Sequence, residues 1–280
     1  MIVRTRKAAE IVKPSVASMP APPKSLKPAD QPPAWITGEL ADPHSHAEKS
    51  GKVRRMFAAI AGSYDLNNRI HSMGQDVRWR RFAVRAAQVR PGQVVLDVAC
   101  GTGDLAQAFA RTPARSVIGA DFTREMLNLA VRKRERLAPN FAAKIAYLEA
   151  DAHKLPLADG SVDVVSIAFG LRNVQEPERA LREFARVLRP SGRVIILEFD
   201  RPQIAVVRWL TDFYRDWIMP RTAAWISRDK SGAYKYLPRS VTTFAPRSEI
   251  HAMMARAGLV RVESWTLSCG ICACYRAFKP

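Results

Sequence analysis

Long apolar runs are missing from this 280-residue chain. No stretch approaches the roughly 20 residues that cross a bilayer, so a spanning helix is excluded and a soluble or peripheral protein is expected. The start, MIVRTRKAAEIVKPSVASMP, lacks the continuous apolar region of a secretory signal. It is basic and poor in acids, which leaves an organelle transit peptide, and hence a mitochondrial matrix location, open beside a disordered tail. Cysteine is scarce: Cys269, Cys272 and Cys274 crowd the last twelve residues and Cys100 lies far away. That is no disulfide framework, and no second pair or histidine at set spacing completes a zinc site. The expected roles are small buried side chains in a reducing compartment, with no metal. Acids are also short, 26 against 44 Lys and Arg, for a net charge of +18.

The excess is unevenly placed. Residues 1–50 carry a net +2, 51–95 carry +7, 96–200 only +1, and 201–280 carry +8. A near-neutral middle between two basic flanks points to an anionic partner, either a membrane surface or nucleic acid. Residues 1–50 hold eight prolines, and SMPAPPKSLKPADQPP has no structural period, so a disordered basic leader is expected there. Residues 51–92 read as a helical lid, with Val53, Met56, Phe57 and Ile60 at helical spacing in a helix ending near Gly62, then a second helix over about 76–88. Residues 93–200 read as a cofactor-binding core, 201–247 as a substrate- or membrane-facing insertion, and 248–280 as a terminal helix and edge hairpin.

Within the core, strands and helices alternate. VVLDV, SVIGAD, IAYLEAD, VDVVSIAF and RVIILEF are near-continuous apolar strands, and amphipathic helices separate them; Thr123 is placed to cap the helix REMLNLAVRKRERL. This pattern predicts an α/β, doubly wound, mostly parallel sheet, closed by an antiparallel hairpin near 260–267 and 271–278.

The glycine loop in VVLDVACGTGDLAQAF poses the central question. Gly101, Gly103 and Ala106 satisfy a dinucleotide-type spacing, yet Asp104 stands where a pyrophosphate would meet the helix N-terminus. Ligands of such sheets bind at the carboxyl ends of the strands, where Asp97, Asp104, Asp121 and Asp151 gather. Asp121, 24 residues past Asp97, is placed to grip a ribose diol. Carboxylates repel phosphates but suit a ligand carrying a sulfonium and an ammonium, so the expected cofactor is S-adenosyl-L-methionine, with adenine beside Asp151 and Ala152. The glycines then allow close backbone approach.

LDVACGTGD, GADFTREML, EADAHKLPLADGSVDVV and LRPSGRVIILEF resemble successive motifs of class I methyltransferases. More narrowly, AGSYDLNNRIHSMGQDVRWRRF, AFGLRNV and SGAYKYLPRSV resemble the ubiquinone/menaquinone biosynthesis C-methyltransferase family, UbiE, from about Lys52 to Lys279. The resemblance implies a seven-stranded Rossmann-like sheet and transfer of a methyl group to a ring carbon of a polyprenylated hydroquinone. It places cofactor contacts on Thr102, Asp121, Asp151 and Ala152, joined by Asp97, Gly101 and Gly103 around the loop. The chain departs from some members at Ala168, where a serine would reach the cofactor.

A neutral aromatic carbon is a poor nucleophile, so the reaction needs a base or a group that stabilises a phenolate. Arg172, as the oxyanion stabiliser, and Asn173, orienting a hydroxyl, are expected beside the methyl donor. Tyr64 and Asp65 in the lid are candidates too, with Asp65 as base. Tyr234 and Tyr236 are expected to close the quinone site. Trp209, Phe213 and Trp217 repeat every fourth residue with Arg208 and Arg215 alongside. They read as a prenyl-channel wall or an interfacial helix on an anionic bilayer, in keeping with a cytoplasmic enzyme peripheral to the inner face of the cell membrane. A homo-oligomer is compatible with the sequence. The alternative is a nucleic-acid-directed methyltransferase or RNA-binding module; the chain lacks an Asn/Asp-Pro-Pro-aromatic motif after strand four, and nucleic acid is not expected.

Overall fold

The computed structural model describes residues 34–35, 37–218, 222 and 233–280. The apolar runs become one seven-stranded sheet in the order β3-β2-β1-β4-β5-β7-β6. Its strands are Val94–Val98 (β1), Ser116–Asp121 (β2), Ile145–Glu149 (β3), Val162–Ala168 (β4), Leu188–Phe199 (β5), Val260–Leu267 (β6) and Cys272–Phe278 (β7). The first five pair in parallel, and β7 runs antiparallel to both β5 and β6. The order reverses at β1, between β2 and β4, which opens a crevice beyond the carboxyl ends of those strands.

Every residue of β1 is buried because helices cover both faces. Strand side chains alternate, so Leu96 joins one core and Val95 the other. The helices are Lys49–His71 (α1), Gln75–Ala86 (α2), Asp104–Ala110 (α3), Arg124–Arg134 (α4), Pro139–Ala142 (α5), Pro177–Val187 (α6), Ala205–Phe213 (α7), Ala233–Thr242 (α8) and Arg247–Arg256 (α9). On one face Leu181 and Phe184 of α6 and Met254 of α9 pack with Leu96, Ile167 and Ile196. On the other, Trp79 of α2 and Phe109 of α3 pack with Val95, Val164 and Ile195. Cys272 and Cys274 are buried in β7, whereas Cys269 is exposed.

Three expectations need correction. The first lid helix does not stop near Gly62 but runs on to His71. A mid-helix glycine costs about 1 kcal/mol, and beyond it Tyr64 packs on the cluster of Met56, Ile60 and Tyr236 and Asn67 is buried, which offsets that cost. Tyr64 and Asp65 therefore sit on continuous helix. Second, part of the expected leader is packed: Trp35 and Leu40 are buried, and Thr37–Leu40 forms a 3₁₀ turn. Residues 1–33 lie outside the described residues. Third, Thr123 occupies the N-cap position of α4 but its side chain makes no cap hydrogen bond. Asp121 accepts the Thr123 N–H instead, at 2.8 Å.

Beneath the glycine loop lies Tyr147 of β3. Gly103 has φ of +84°, and a Cβ there would collide with the Tyr147 hydroxyl. A Cβ at Gly119 would come 2.5 Å from the same ring. The glycines thus make room for an aromatic prop under the loop as well as for ligand approach. Gly103→Ala should cost about 1–3 kcal/mol in urea unfolding, through overpacking and positive φ together. Gly103→Ala/Tyr147→Leu should recover part of that loss; no recovery would leave backbone strain as the whole cause.

Candidate active site

The crevice is assembled from strand ends. After β1 the backbone turns through positive φ at Ala99, Gly101 and Gly103, which delivers α3 with its N-terminus toward the opening. Asp121 closes β2, and its Oδ2 accepts the Gly101 N–H at 2.8 Å while Oδ1 takes the Thr123 N–H. The carboxylate thus locks the glycine loop to the β2–α4 turn and keeps lone pairs for a ligand's hydroxyls. Burial pushes the Asp121 carboxyl pKa up, and the backbone donors of Thr123 and Gly101 oppose it.

Tyr64, Gly101, Asp121, Asp151, Ala152 and Asn173 line one crevice, together with Phe57, Phe122, His153 and Phe169. Asp151 is exposed; its Oδ1 accepts the His153 N–H at 2.9 Å and contacts Nδ1 of the same imidazole at 2.7 Å. Burial raises the Tyr64 phenol, whose ring packs edge-on against Phe57. Ala168 also lines the wall and offers no hydroxyl.

The other expected residues stand elsewhere. Asp97 is 1 % exposed beneath the loop and pairs with the Ser166 hydroxyl at 2.8 Å. Asp104 does not face the crevice: Lys133 of α4 donates a hydrogen bond to it. The same ammonium reaches Asp65 Oδ2 at 2.8 Å and Thr102 Oγ1 at 3.1 Å, and Thr102 donates to Asp65 Oδ1 at 2.6 Å. Asp65 and Thr102 therefore belong to a latch that fastens α1 to the glycine loop. The carboxylate at the start of α3 is explained, in this structure, by a lysine.

Arg172, expected to face the methyl donor, is buried behind the wall. Its Nη1 donates to Glu198 Oε1 at 2.6 Å and to the Phe169 carbonyl at 2.7 Å, and Nε donates to Ser240 Oγ at 3.3 Å. Glu198 lies inside β5 with no exposure, and a carboxylate so buried demands a counter-charge. Asn173 remains at the crevice. Its Oδ1 accepts the Tyr236 hydroxyl at 3.0 Å and its Nδ2 donates to the Phe169 carbonyl at 3.2 Å. With Oδ1 accepting from Tyr236 and one Nδ2 hydrogen given to Phe169, Asn173 keeps a second amide hydrogen to offer a substrate. Tyr236 is fully buried behind Asn173 rather than at the opening, and the side chain of Tyr234 lies outside the described residues.

Sequence reasoning missed Lys133, Glu198 and His153. Lys133 sits in the run VRKRER, where nothing distinguishes it from its charged neighbours; Glu198 reads as one polar break in an apolar strand. Among the described residues no cluster of three His, Cys, Asp or Glu could hold a metal.

The sheet order, the glycine loop and the acid closing β2 define a class I methyltransferase. Among solved structures, the chain resembles an S-adenosylmethionine-dependent methyltransferase from Thermotoga maritima at 20 % identity and TM-score 0.59, over 81 % of this chain and all of that one. The YcgJ protein of Bacillus subtilis matches at 19 % identity and TM-score 0.54, over 72 % and 98 %. Both likenesses concern the fold. Residues 45–279 match the ubiE/COQ5 methyltransferase family, and the chain belongs to that family. It is 41 % identical to the ubiquinone/menaquinone biosynthesis C-methyltransferase UbiE of Geotalea uraniireducens over 81 % of this chain and 96 % of the relative. The UbiE of Pseudomonas putida strain W619 is 39 % identical over 87 % and 98 %. The chain is a methyltransferase whose donor is S-adenosylmethionine, and the residues present fit that donor: the Asp121 carboxylate keeps lone pairs at the opening, and Asp151 and Ala152 line the same crevice. The nucleic-acid reading finds no support in these relatives.

Burial raises the Asp97 carboxyl to about 7, against the opposing Ser166 hydrogen bond and Arg80. Between about pH 4 and 7 the native chain thus holds a proton that the unfolded chain has released. That contribution is complete below about pH 4 and is lost as pH rises through about 7. Asp97→Asn cannot titrate, so its stability relative to the parent should rise over this range in a urea-unfolding series. A difference independent of pH would show that Asp97 ionises normally.

Proposed function

We propose that the chain methylates a ring carbon of a reduced, polyprenylated quinol, in keeping with relatives named ubiquinone/menaquinone biosynthesis C-methyltransferases. The observation that carries this is the placement of Asn173 on the crevice wall: its amide is oriented by Phe169 and Tyr236 and keeps one Nδ2 hydrogen, suited to an oxygen that becomes a phenolate. S-adenosylmethionine supplies an electrophilic methyl group when bound. Asp121 holds its ribose hydroxyls and the Asp151–Ala152 segment its adenine edge. Asn173 would donate to the quinol oxygen next to the carbon to be methylated and stabilise the phenolate as it forms, with the hydroxyl proton, and after methyl transfer the ring proton, passing to solvent at the mouth of the crevice. Tyr64, with its phenol pKa raised, enters as a neutral donor on the same crevice rather than as a base. Phe57, Phe122 and Phe169 keep water from the acceptor. Arg172 holds the loop through Glu198 instead of touching the oxyanion, and Asp65 closes the lid through Lys133.

The partner surface we propose is an anionic membrane. Ile204, Val206, Trp209, Leu210 and Phe213 are all exposed on or beside α7, and Trp217 in the π turn Tyr214–Ile218 that follows. The Tyr214 hydroxyl meets His71 Nδ1 at 2.8 Å, which brings in the exposed Leu66, Ile70 and Met73 at the end of α1. A prenyl tail stays in the bilayer, and the basic flanks supply attraction to its headgroups. Among the described residues no helix is long and apolar enough to cross a membrane.

Asn173→Ala should lower kcat by about 2–4 kcal/mol in transition-state terms while sparing binding of S-adenosylhomocysteine. Asp121→Ala should do the reverse in calorimetry, weakening the nucleoside by about 1–3 kcal/mol. Unchanged turnover in Asn173→Ala would remove that amide from the chemistry. In sedimentation, the protein should bind anionic vesicles, release them as salt rises, and bind neutral vesicles poorly. Trp209→Asp with Arg208→Glu should lose that binding; retention would refute the surface.

A further inference from the structure

The segment upstream of the family match makes specific contacts behind the crevice. The match begins at residue 45, yet Trp35 is 2 % exposed and its ring stacks on Tyr236, centroids 4.6 Å apart and planes 19° apart. Tyr236 is the residue whose hydroxyl donates to Asn173 Oδ1. Further along, His44 Nε2 lies 3.0 Å from the Ser240 carbonyl on α8, the helix that carries Tyr236. The buried Lys49 donates to the Val174 carbonyl at 2.6 Å, one residue past Asn173. Gln175 donates to the His46 carbonyl at 3.0 Å and accepts the Ser50 N–H at 3.1 Å. Lys52 pairs with Glu39 and lies 5.4 Å over the Trp35 ring, a further contact that anchors the indole.

Apart from those of Lys52, these contacts fall on the loop 173–175 or on α8. None of Trp35, His44 or Lys49 lines the crevice, so they act on its wall from behind. We propose that residues 34–49 form a strap that positions Asn173, with Trp35 as a positioning residue acting through the Tyr236 ring. The physical content is rotational. An amide at a crevice wall can present either its oxygen or its nitrogen, and only the nitrogen suits a phenolate. The Phe169 carbonyl, which can only accept, fixes which end is which, and the Tyr236 hydroxyl on Oδ1 holds that orientation provided its own ring cannot swing. The indole stacked on that ring holds it, and the Lys49 and Gln175 bonds hold the backbone from which Asn173 projects. The strap thereby tunes turnover without touching the methyl donor, whose contacts lie on β1, β2 and the residues after β3.

The proposal rests on the reading of Asn173 given above, and its test separates the two. Turnover is measured on a reduced polyprenyl quinol for Trp35→Ala, Trp35→Phe, Tyr236→Phe, Asn173→Ala and Trp35→Ala/Asn173→Ala, each with calorimetry of S-adenosylhomocysteine. Trp35→Ala should lower kcat about tenfold with the nucleoside affinity held within about twofold, a coupling of the size seen for contacting residues. Trp35→Phe keeps a stacking ring and should restore most of the rate. Tyr236→Phe keeps the stack but loses the hydroxyl, and should lower kcat although the strap stays packed. In the Asn173→Ala background, Trp35→Ala should cost nothing further. Multiplicative losses in the double variant would overturn the strap's role while leaving Asn173 in place. A fall in nucleoside affinity matching the fall in kcat would also overturn it, since the strap would then be general scaffolding. Normal turnover in Asn173→Ala alone would overturn the reading of Asn173 and this proposal with it.

Discussion

Two hydrogen bonds to one carboxylate hold the cofactor half of the crevice together. Asp121 ends β2, and by accepting N–H groups from Gly101 and Thr123 it ties the loop after β1 to the turn before α4. Both donors belong to turns that leave their strands at the point where the sheet order reverses, so neither has a ladder partner. Without the acid, the buried Thr123 N–H would lose its partner at a cost of about 1–3 kcal/mol, and the part-buried Gly101 N–H would lose its partner too. The same constraint explains the aromatic prop below: a loop held in left-handed conformations at Gly101 and Gly103 needs a firm floor, and Tyr147 fills the space that glycine leaves.

A second buried charge organises the acceptor side. Glu198 is enclosed in β5 and takes Arg172 from the turn after β4, which in turn reaches Ser240 on α8. Removing either partner would strand a charge in a low-dielectric interior. The pair therefore fixes the turn from which Asn173 emerges. On the proposed reaction, this divides the labour in a simple way. Charged groups set the frame from behind, and the groups that meet the substrate are neutral donors and apolar rings, which suits an acceptor with a long hydrocarbon tail and an oxygen that ionises in the transition state.

The core was readable because its signals are local. A strand buried on both faces shows as an unbroken apolar run, as VVLDV does, and an acid at the next strand end shows by its distance along the chain, as Asp121 does. Gly62 reads as a helix terminator, whereas tertiary packing of Tyr64 and burial of Asn67 beyond it carry the lid helix on to His71. Pairings between distant residues left no such trace. Lys133 meets Asp65 across 68 positions and Trp35 meets Tyr236 across some two hundred, and nothing in VRKRER or in QPPAW marks either one. Proline density in the leader hid the packed segment from residue 34 onward. Arg172 was legible as an important side chain but not by direction, since a sequence does not show which of two neighbouring residues turns inward.

The most direct test of the whole account is a redox comparison at the acceptor. The purified chain is supplied with S-adenosylmethionine labelled in its methyl group and with one polyprenyl quinone, in parallel reduced and oxidised reactions. If a phenolate drives the attack, label appears on a ring carbon of the reduced acceptor and is absent from the oxidised one. Label entering the oxidised quinone equally well, or appearing on oxygen rather than carbon, would contradict it.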